Sequence, residues 1–115
     1  MKRGEIWIVN LEPGFGREIH KKRPALILSK NSIHANSNHV IIIPASSLAP
    51  KTIGIEMVLI GKKEGLNKQS VLLPMFIRSI DQERLIKKVG KISKTKLKEV
   101  EEAIKIVLDL KYEQL

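Results

Sequence analysis

The chain has no cysteine, which removes disulfides, thiolate metal sites and cysteine nucleophiles together and fits a reducing compartment. Aromatic residues are only 3% of its 115 positions, so Ile, Leu and Val have to fill the core. There is no glycine-rich phosphate loop, no G-x-S-x-G and no carboxylate cluster at metal-ligand spacing. His20, His34 and His39 stand singly in or beside presumed loops, short of the ligand set a zinc site needs. Neither a metal nor a cofactor is expected. Met1-Lys2-Arg3-Gly4-Glu5 leads straight into a strand-like segment with no apolar signal region. No apolar run approaches the roughly 20 residues that span a bilayer. The expected location is therefore cytoplasmic, away from membranes.

Acidic residues are also scarce: 12 against 21 Lys and Arg, a formal charge of +9. A field of that sign concentrates polyanions and speeds their encounter, which points to nucleic acid or an acidic protein partner. A Lys-rich solvated surface is the plain alternative. The length suits one domain over 1–115, and 43% hydrophobic with 29% charged residues is an ordinary globular balance.

Strand-like segments dominate. Glu5–Leu11 is rich in β-branched residues, and Pro13-Gly14-Phe15-Gly16 breaks it. A polar, basic loop then runs to Arg23. Pro24 opens a second strand, whose run Ala25-Leu26-Ile27-Leu28 implies burial on both faces. Asn31–Ala35 reads as a turn or one helical turn. Val40-Ile41-Ile42-Ile43 is the most β-prone run, and Ser46–Lys51 reads as a loop. Further strands are expected over Ile55–Ile60, over Ser70–Pro74 with Phe76–Ile80 (a pair, or one strand bent near Pro74), and around Val89. The C-terminal part changes period: Leu97, Val100, Ile104 and Val107 or Leu108 recur at helical steps, with Ser93 or Thr95 as N-cap. The expected fold is mainly β with a C-terminal helix (α+β), a small barrel packed against that amphipathic helix.

Three stretches carry groups suited to chemistry. In Arg17-Glu18-Ile19-His20-Lys21-Lys22-Arg23-Pro24, Pro24 restricts Arg23 to extended backbone. A guanidinium so held is either a phosphate clamp, its fork matching phosphate oxygens, or half of a surface ion pair with Glu18. Ser46 and Ser47 follow the strongest strand, where a hydroxyl is a turn former or a phosphate donor. No histidine is placed by sequence to activate either serine as a nucleophile. Arg78 and Asp81 pair across a tight turn, or Asp81 caps Gln82-Glu83-Arg84.

Taken in order, Arg3-Gly4-Glu5-Ile6-Trp7, Arg23-Pro24 before an aliphatic strand, Pro44 with Ser46 two positions on, Ile77-Arg78-Ser79-Ile80-Asp81 and Gly90-Lys91-Ile92-Ser93 resemble the MazF/PemK (Kid) toxins across about residues 3 to 109. The resemblance implies an SH3-like (CcdB-like) barrel, a homodimer and an endoribonuclease. Such an enzyme cleaves single-stranded mRNA at specific sequences, leaving 2′,3′-cyclic phosphate and 5′-hydroxyl ends, without a metal. It also implies a cognate acidic antitoxin whose tail lies in the toxin groove. Arg23 matches the family's catalytic arginine and Ser46 the hydroxyl position at the end of the third strand. Arg78 and Asp81 match its R-T-I-D-like motif, with Ser79 for the threonine. Glu18 matches a common loop glutamate. Arg17, His20, Lys21, Lys22 and Ser47 complete the expected RNA-binding set.

The chain departs from that pattern in several places. Arg17 stands where PemK relatives carry histidine, Met75 and Phe76 where many relatives have an acid and a glutamine, and Lys21-Lys22 where the loop usually has a glycine. An altered recognition sequence and weaker cleavage are expected. The expected chemistry is attack of the RNA's own 2′-hydroxyl on phosphorus, aided by preorganised donors. Glu18, Asp81 or His20 are the candidates for proton transfer, since an arginine is a poor base. The alternatives are a non-catalytic RNA-binding barrel, which the changes at Met75 and Phe76 favour, and a CcdB-like gyrase poison. The second would use an exposed tryptophan near the C-terminus, and this chain has only Trp7.

Overall fold

A computed structural model describes residues 1–47, 54 and 56–110. Its strands are β1 (Glu5–Asn10), β2 (Lys22–Ile27), β3 (His39–Ser46), β4 (Val58–Ile60), β5 (Ser70–Leu72), β6 (Arg78–Asp81) and β7 (Leu85–Lys91). The helices are a single turn, α1 (Asn31–His34), and the long α2 (Lys94–Leu108). Short 3₁₀ turns fill Lys62–Glu64, Pro74–Phe76 and Gln82–Arg84. The strands form one curled sheet ordered β4-β5-β3-β2-β1-β7. β6 lies beside β5 along the same edge of β3: β5 pairs Ala45 and Ser46, β6 pairs His39 to Ile42. The segment from Ser70 to Asp81 is thus one strand bent at the Pro74 turn.

The apolar run of β2 is buried on both faces because a separate core lies on each side of the sheet. Leu26 joins Ile6, Ile43, Ala45 and Leu72, and α2 covers this face with Val100, Ala103, Leu97 and Ile104. Ala25 and Ile27 join Val9, Val40, Ile42 and Ile80 on the opposite face, which Ile19 of the first loop, Trp7 and Leu85 help to cover. Sheet alternation with period two assigns the residues this way. The helix stripe is as expected, with Ala103 added at its centre and Leu108 left half exposed. Ser93 caps α2 by accepting from the Lys96 amide, and Asp109 closes it in the left-handed conformation.

Three boundaries differ from the sequence expectation, one being the end of β3, which runs on to Ser46 where the loop was expected to start. β2 begins at Lys22 rather than Pro24, because Lys22 and Arg23 pair with Asn10 and Val9 of β1. Pro24 precedes the β2–β3 ladder, which starts at Ala25, so its missing N–H breaks no bond there. β4 covers only Val58–Ile60 of the expected strand; Ile55 and most of the expected 46–51 loop lie outside the described residues. Gly65 and Gly90 let the turn after β4 lie directly on β7. A Cβ on Gly90 would stand 1.9 Å from the Glu64 carbonyl oxygen, and one on Gly65 2.1 Å from that of Val89. The contact seats residues 65–68 beside the end of the sheet where β1, β2 and β3 present Ile8, Arg23 and Ala45.

Candidate functional site

Arg23 lies opposite Val9 on β1 and so faces the side of the sheet that carries Ile42 and Ile80. Ser46 leaves the end of β3 on that same side, two pleats beyond Ile42. The two meet: Arg23 Nη1 donates to Ser46 Oγ at 3.4 Å, and Arg23 Nε donates to the His20 carbonyl at 2.6 Å. Arg23 is half-buried and Ser46 is 8% exposed. The guanidinium is therefore clamped between a loop carbonyl and a strand-end hydroxyl, with the rest of its fork making no hydrogen bond among the described residues. The alternative ion pair with Glu18 is not made; Glu18 Oε1 instead accepts the Phe15 amide at 2.8 Å.

The first loop is tied at its neck, where the Leu11 amide donates to the Lys21 carbonyl. Arg84 holds the near side by donating to the carbonyls of Asn10 and Glu12. Within the loop, His20 Nδ1 and Glu12 Oε1 lie 2.8 Å apart. The hydrogen bond from His20 holds the Glu12 carboxyl below the usual carboxylate range. Lys21 has φ 74°, the left-handed conformation that favours glycine. A glycine would hold this conformation without strain, whereas the Cβ of Lys21 crowds its backbone. Arg17 is exposed and makes no hydrogen bond or ion pair among the described residues.

Two cavities lie on or near this face, one lined by Arg23 itself and one by the first loop and Arg78. One, of about 390 Å³, is lined in part by Arg23, Ser47, Lys22, Lys68 and Lys87, with no carboxylate in its wall. The other, of about 290 Å³, is formed by Glu18, Ile19, Met75, Phe76, Ile77 and Arg78. Lys68 and Lys87 are cations that no motif singled out. Lys87 reaches the site through the pairing of β7 with β1, and Lys68 through the Gly65–Gly90 contact. Neither relation leaves a local sequence signal.

Arg78 and Asp81 are separated. Arg78 pairs with Ile42 and shares the face of Arg23 and Ser46, whereas Asp81 pairs with His39 and projects from the other face. His39 lies seven residues from Ser46 along β3, roughly 23 Å at the rise of a strand. Of the two readings left open for Asp81, the ion pair with Arg78 is not made. Asp81 is a cap, accepting the Glu83 amide at 2.8 Å. Asp81 is thus not brought to the site. His34, by contrast, is buried at 4% exposure against Ser29 Oγ, 3.0 Å away. Among the described residues no three His, Cys, Asp or Glu side chains gather in a group that could hold a metal ion.

Residues 2–108 match the model of the PemK-like, MazF-like toxins of type II toxin–antitoxin systems. The chain is 33% identical to endoribonuclease MazF9 of Mycobacterium tuberculosis, over 96% of this chain and 98% of that protein. Among solved structures, MazF from Deinococcus radiodurans has a TM-score of 0.83 at 23% identity, covering 96% of this chain and 97% of that one. A mycobacterial endoribonuclease in complex with its cognate antitoxin has a TM-score of 0.79 at 17% identity, covering 98% and 99%. The two structures share the curled sheet and C-terminal helix. With a clamped arginine at the rim of that sheet and a family match over nearly its whole length, the chain belongs to the PemK-like, MazF-like toxins of type II toxin–antitoxin systems.

Proposed function

We propose that this toxin is an endoribonuclease that cleaves single-stranded mRNA at specific sequences. The observation that carries the reading is the contact of Arg23 with Ser46, beside a cavity whose charged lining is entirely cationic. In the proposed reaction the 2′-oxygen next to the scissile phosphate attacks phosphorus and loses its proton. The P–O5′ bond breaks, and the 5′-oxygen takes up a proton. The products are a 2′,3′-cyclic phosphate and a 5′-hydroxyl. Arg23, its Nε fixed by the His20 carbonyl, turns its remaining N–H groups to the phosphoryl oxygens as their charge grows. Ser46 contributes a hydroxyl to the same phosphate. Of the candidates for proton transfer, Glu18 and His20 lie on the loop beside the site, and Asp81 on the opposite face of the sheet.

The charge of +9 also suits an acidic antitoxin tail, and the relative solved with its cognate antitoxin supports such a partner. A homodimer in the cytoplasm is the assembly and place we assign to it; no described helix is long and apolar enough to cross a membrane. Incubation with a long single-stranded RNA in excess EDTA, followed by end-group analysis, tests the proposal. Cleavage leaving cyclic-phosphate ends is the expected result. RNA that is bound but left intact would favour a non-catalytic RNA-binding barrel.

A further inference from the structure

The smaller cavity has a composition that its neighbour lacks. Ile19, Met75, Phe76 and Ile77 give it apolar walls, and Glu18 and Arg78 are its only charged lining residues. Met75 is 71% exposed, which leaves its thioether free to move over whatever enters. Glu18 has one oxygen on the Phe15 amide, and its other oxygen has no hydrogen-bond partner among the described residues. The guanidinium of Arg78, a half-buried residue, has no hydrogen bond or ion pair among them. A cavity of about 290 Å³ admits one flat heterocycle, and Phe76 offers a ring to stack on it.

The position is also telling. Arg78 lies opposite Ile42, four residues before Ser46 on the same face of the sheet. That is roughly 13 Å along β3, so an RNA strand with its scissile phosphate at Arg23 and Ser46 passes this cavity. The two polar groups differ in sign, and this selects among bases. A carboxylate accepts two adjacent N–H groups, and an arginine fork donates to two adjacent acceptors. Guanine alone offers both: N1–H with N2–H on one edge, and O6 with N7 on the next. Adenine would set its N1 lone pair against the carboxylate. Uracil and cytosine each give the carboxylate a single N–H position.

We propose that Glu18, Arg78 and Phe76 form a guanine-selective base subsite that sets one position of the RNA recognised by this toxin. The proposal rests on the endoribonuclease reading for its biological use, but the subsite is testable without cleavage. The probes are guanosine, inosine, adenosine, cytidine and uridine 5′-monophosphates, titrated into the full-length protein and followed by methyl NMR of Met75, Ile19 and Ile77. Guanosine monophosphate should shift all three methyl groups. Inosine monophosphate lacks the N2 amino group and should bind roughly tenfold more weakly or worse, as should the other three, given the usual worth of a bidentate base contact. Glu18→Gln should erase the preference for guanosine over inosine, and Arg78→Lys should weaken guanosine monophosphate in particular. Glu18 lies on the surface loop, so its variant tests recognition with little risk to the fold. If guanosine monophosphate leaves the three methyl groups unmoved, or if all five nucleotides bind alike, the subsite is refuted. Should the nucleotides behave as expected while long RNA is never cut, the base subsite stands and the cleavage reading fails.

Discussion

Replacing Arg23 separates a phosphate clamp from a merely cationic loop. Its Nε is bound to the His20 carbonyl at 2.6 Å and one Nη reaches Ser46 at 3.4 Å, so the planar fork is oriented before any substrate arrives. Removing one preorganised donor from a developing oxyanion costs at least roughly 10² in rate, about 2.7 kcal/mol. Arg23→Ala should lose at least that much. Arg23→Lys should lose nearly as much, because an ammonium that reaches the phosphate has no second nitrogen left for the loop carbonyl. The fold should survive the change: the bond from this charged donor to His20 is worth roughly 1.5–3 kcal/mol against a typical stability of roughly 5–15 kcal/mol. Single-turnover cleavage of one defined RNA, with thermal melting followed by circular dichroism, measures both quantities. A folded Arg23→Lys protein that cuts at the parental rate would refute the clamp, and charge alone would then explain the site.

Other expectations follow from neighbouring contacts. Ser46→Ala should slow cleavage by roughly tenfold, less than loss of the arginine, and Ser46→Thr should stay near the parental rate; equal damage from both would mean that packing, not the hydroxyl, is what matters. Burial disfavours the charge on Glu5, but hydrogen bonds from Lys88, Trp7 and the Lys2 amide outweigh it and lower its pKa from 4.5 to about 2. Its contribution is therefore present above about pH 4.5 and lost as pH falls toward 2. Glu5→Gln should cost about 1–2 kcal/mol at pH 7, after discounting for the half-exposed Lys88, and the cost should shrink in urea titrations at low pH. Lys21→Gly should relieve the left-handed strain and stabilise the fold by roughly 1 kcal/mol, read as a higher melting temperature; no gain would mean that the loop does not hold φ 74° in solution. In the non-cleaving Arg23→Ala background, Lys87→Ala should lower the slope of log affinity for RNA against log salt by about 0.7 if it meets a phosphate, and an unchanged slope would remove Lys87 from the RNA path.

Much of this was legible in the sequence because it is local. The helix repeat from Leu97 to Ile104, the Ser93 cap and the apolar run of β2 each have a period or spacing that physics reads directly. Arg23 and Ser46 were legible one at a time, as a cation fixed before a proline and a hydroxyl at a strand end. Their meeting was not, because the pairing of β2 with β3 is long-range. Asp81 was legible only as a choice. Spacing allowed either a pair with Arg78 or a cap on Gln82–Arg84; the cap is the one made, because three residues along a strand put the Arg78 and Asp81 side chains on opposite faces. Lys68 and Lys87 were invisible for a third reason. They are ordinary surface lysines until β7 pairs with β1 and two glycines bring the Lys62–Glu64 turn against it.

The pleat at β6 turns the length of the chain before it into a constraint on function. Pro74–Phe76 must deliver Arg78 in register with Ile42. If the turn gained or lost one residue, every β6 side chain would change faces. With one residue lost, Ser79 would occupy the cavity beside Glu18, and the carboxylate of Asp81 would be driven into the core around Val40 and Ile42. Burial of an unpaired charge there costs several kcal/mol. In this toxin, substitutions at Met75 and Phe76 leave the strand register intact. An insertion or deletion between Pro74 and Ile77 should remove the arginine from the face that carries Arg23 and destabilise the sheet in the same step.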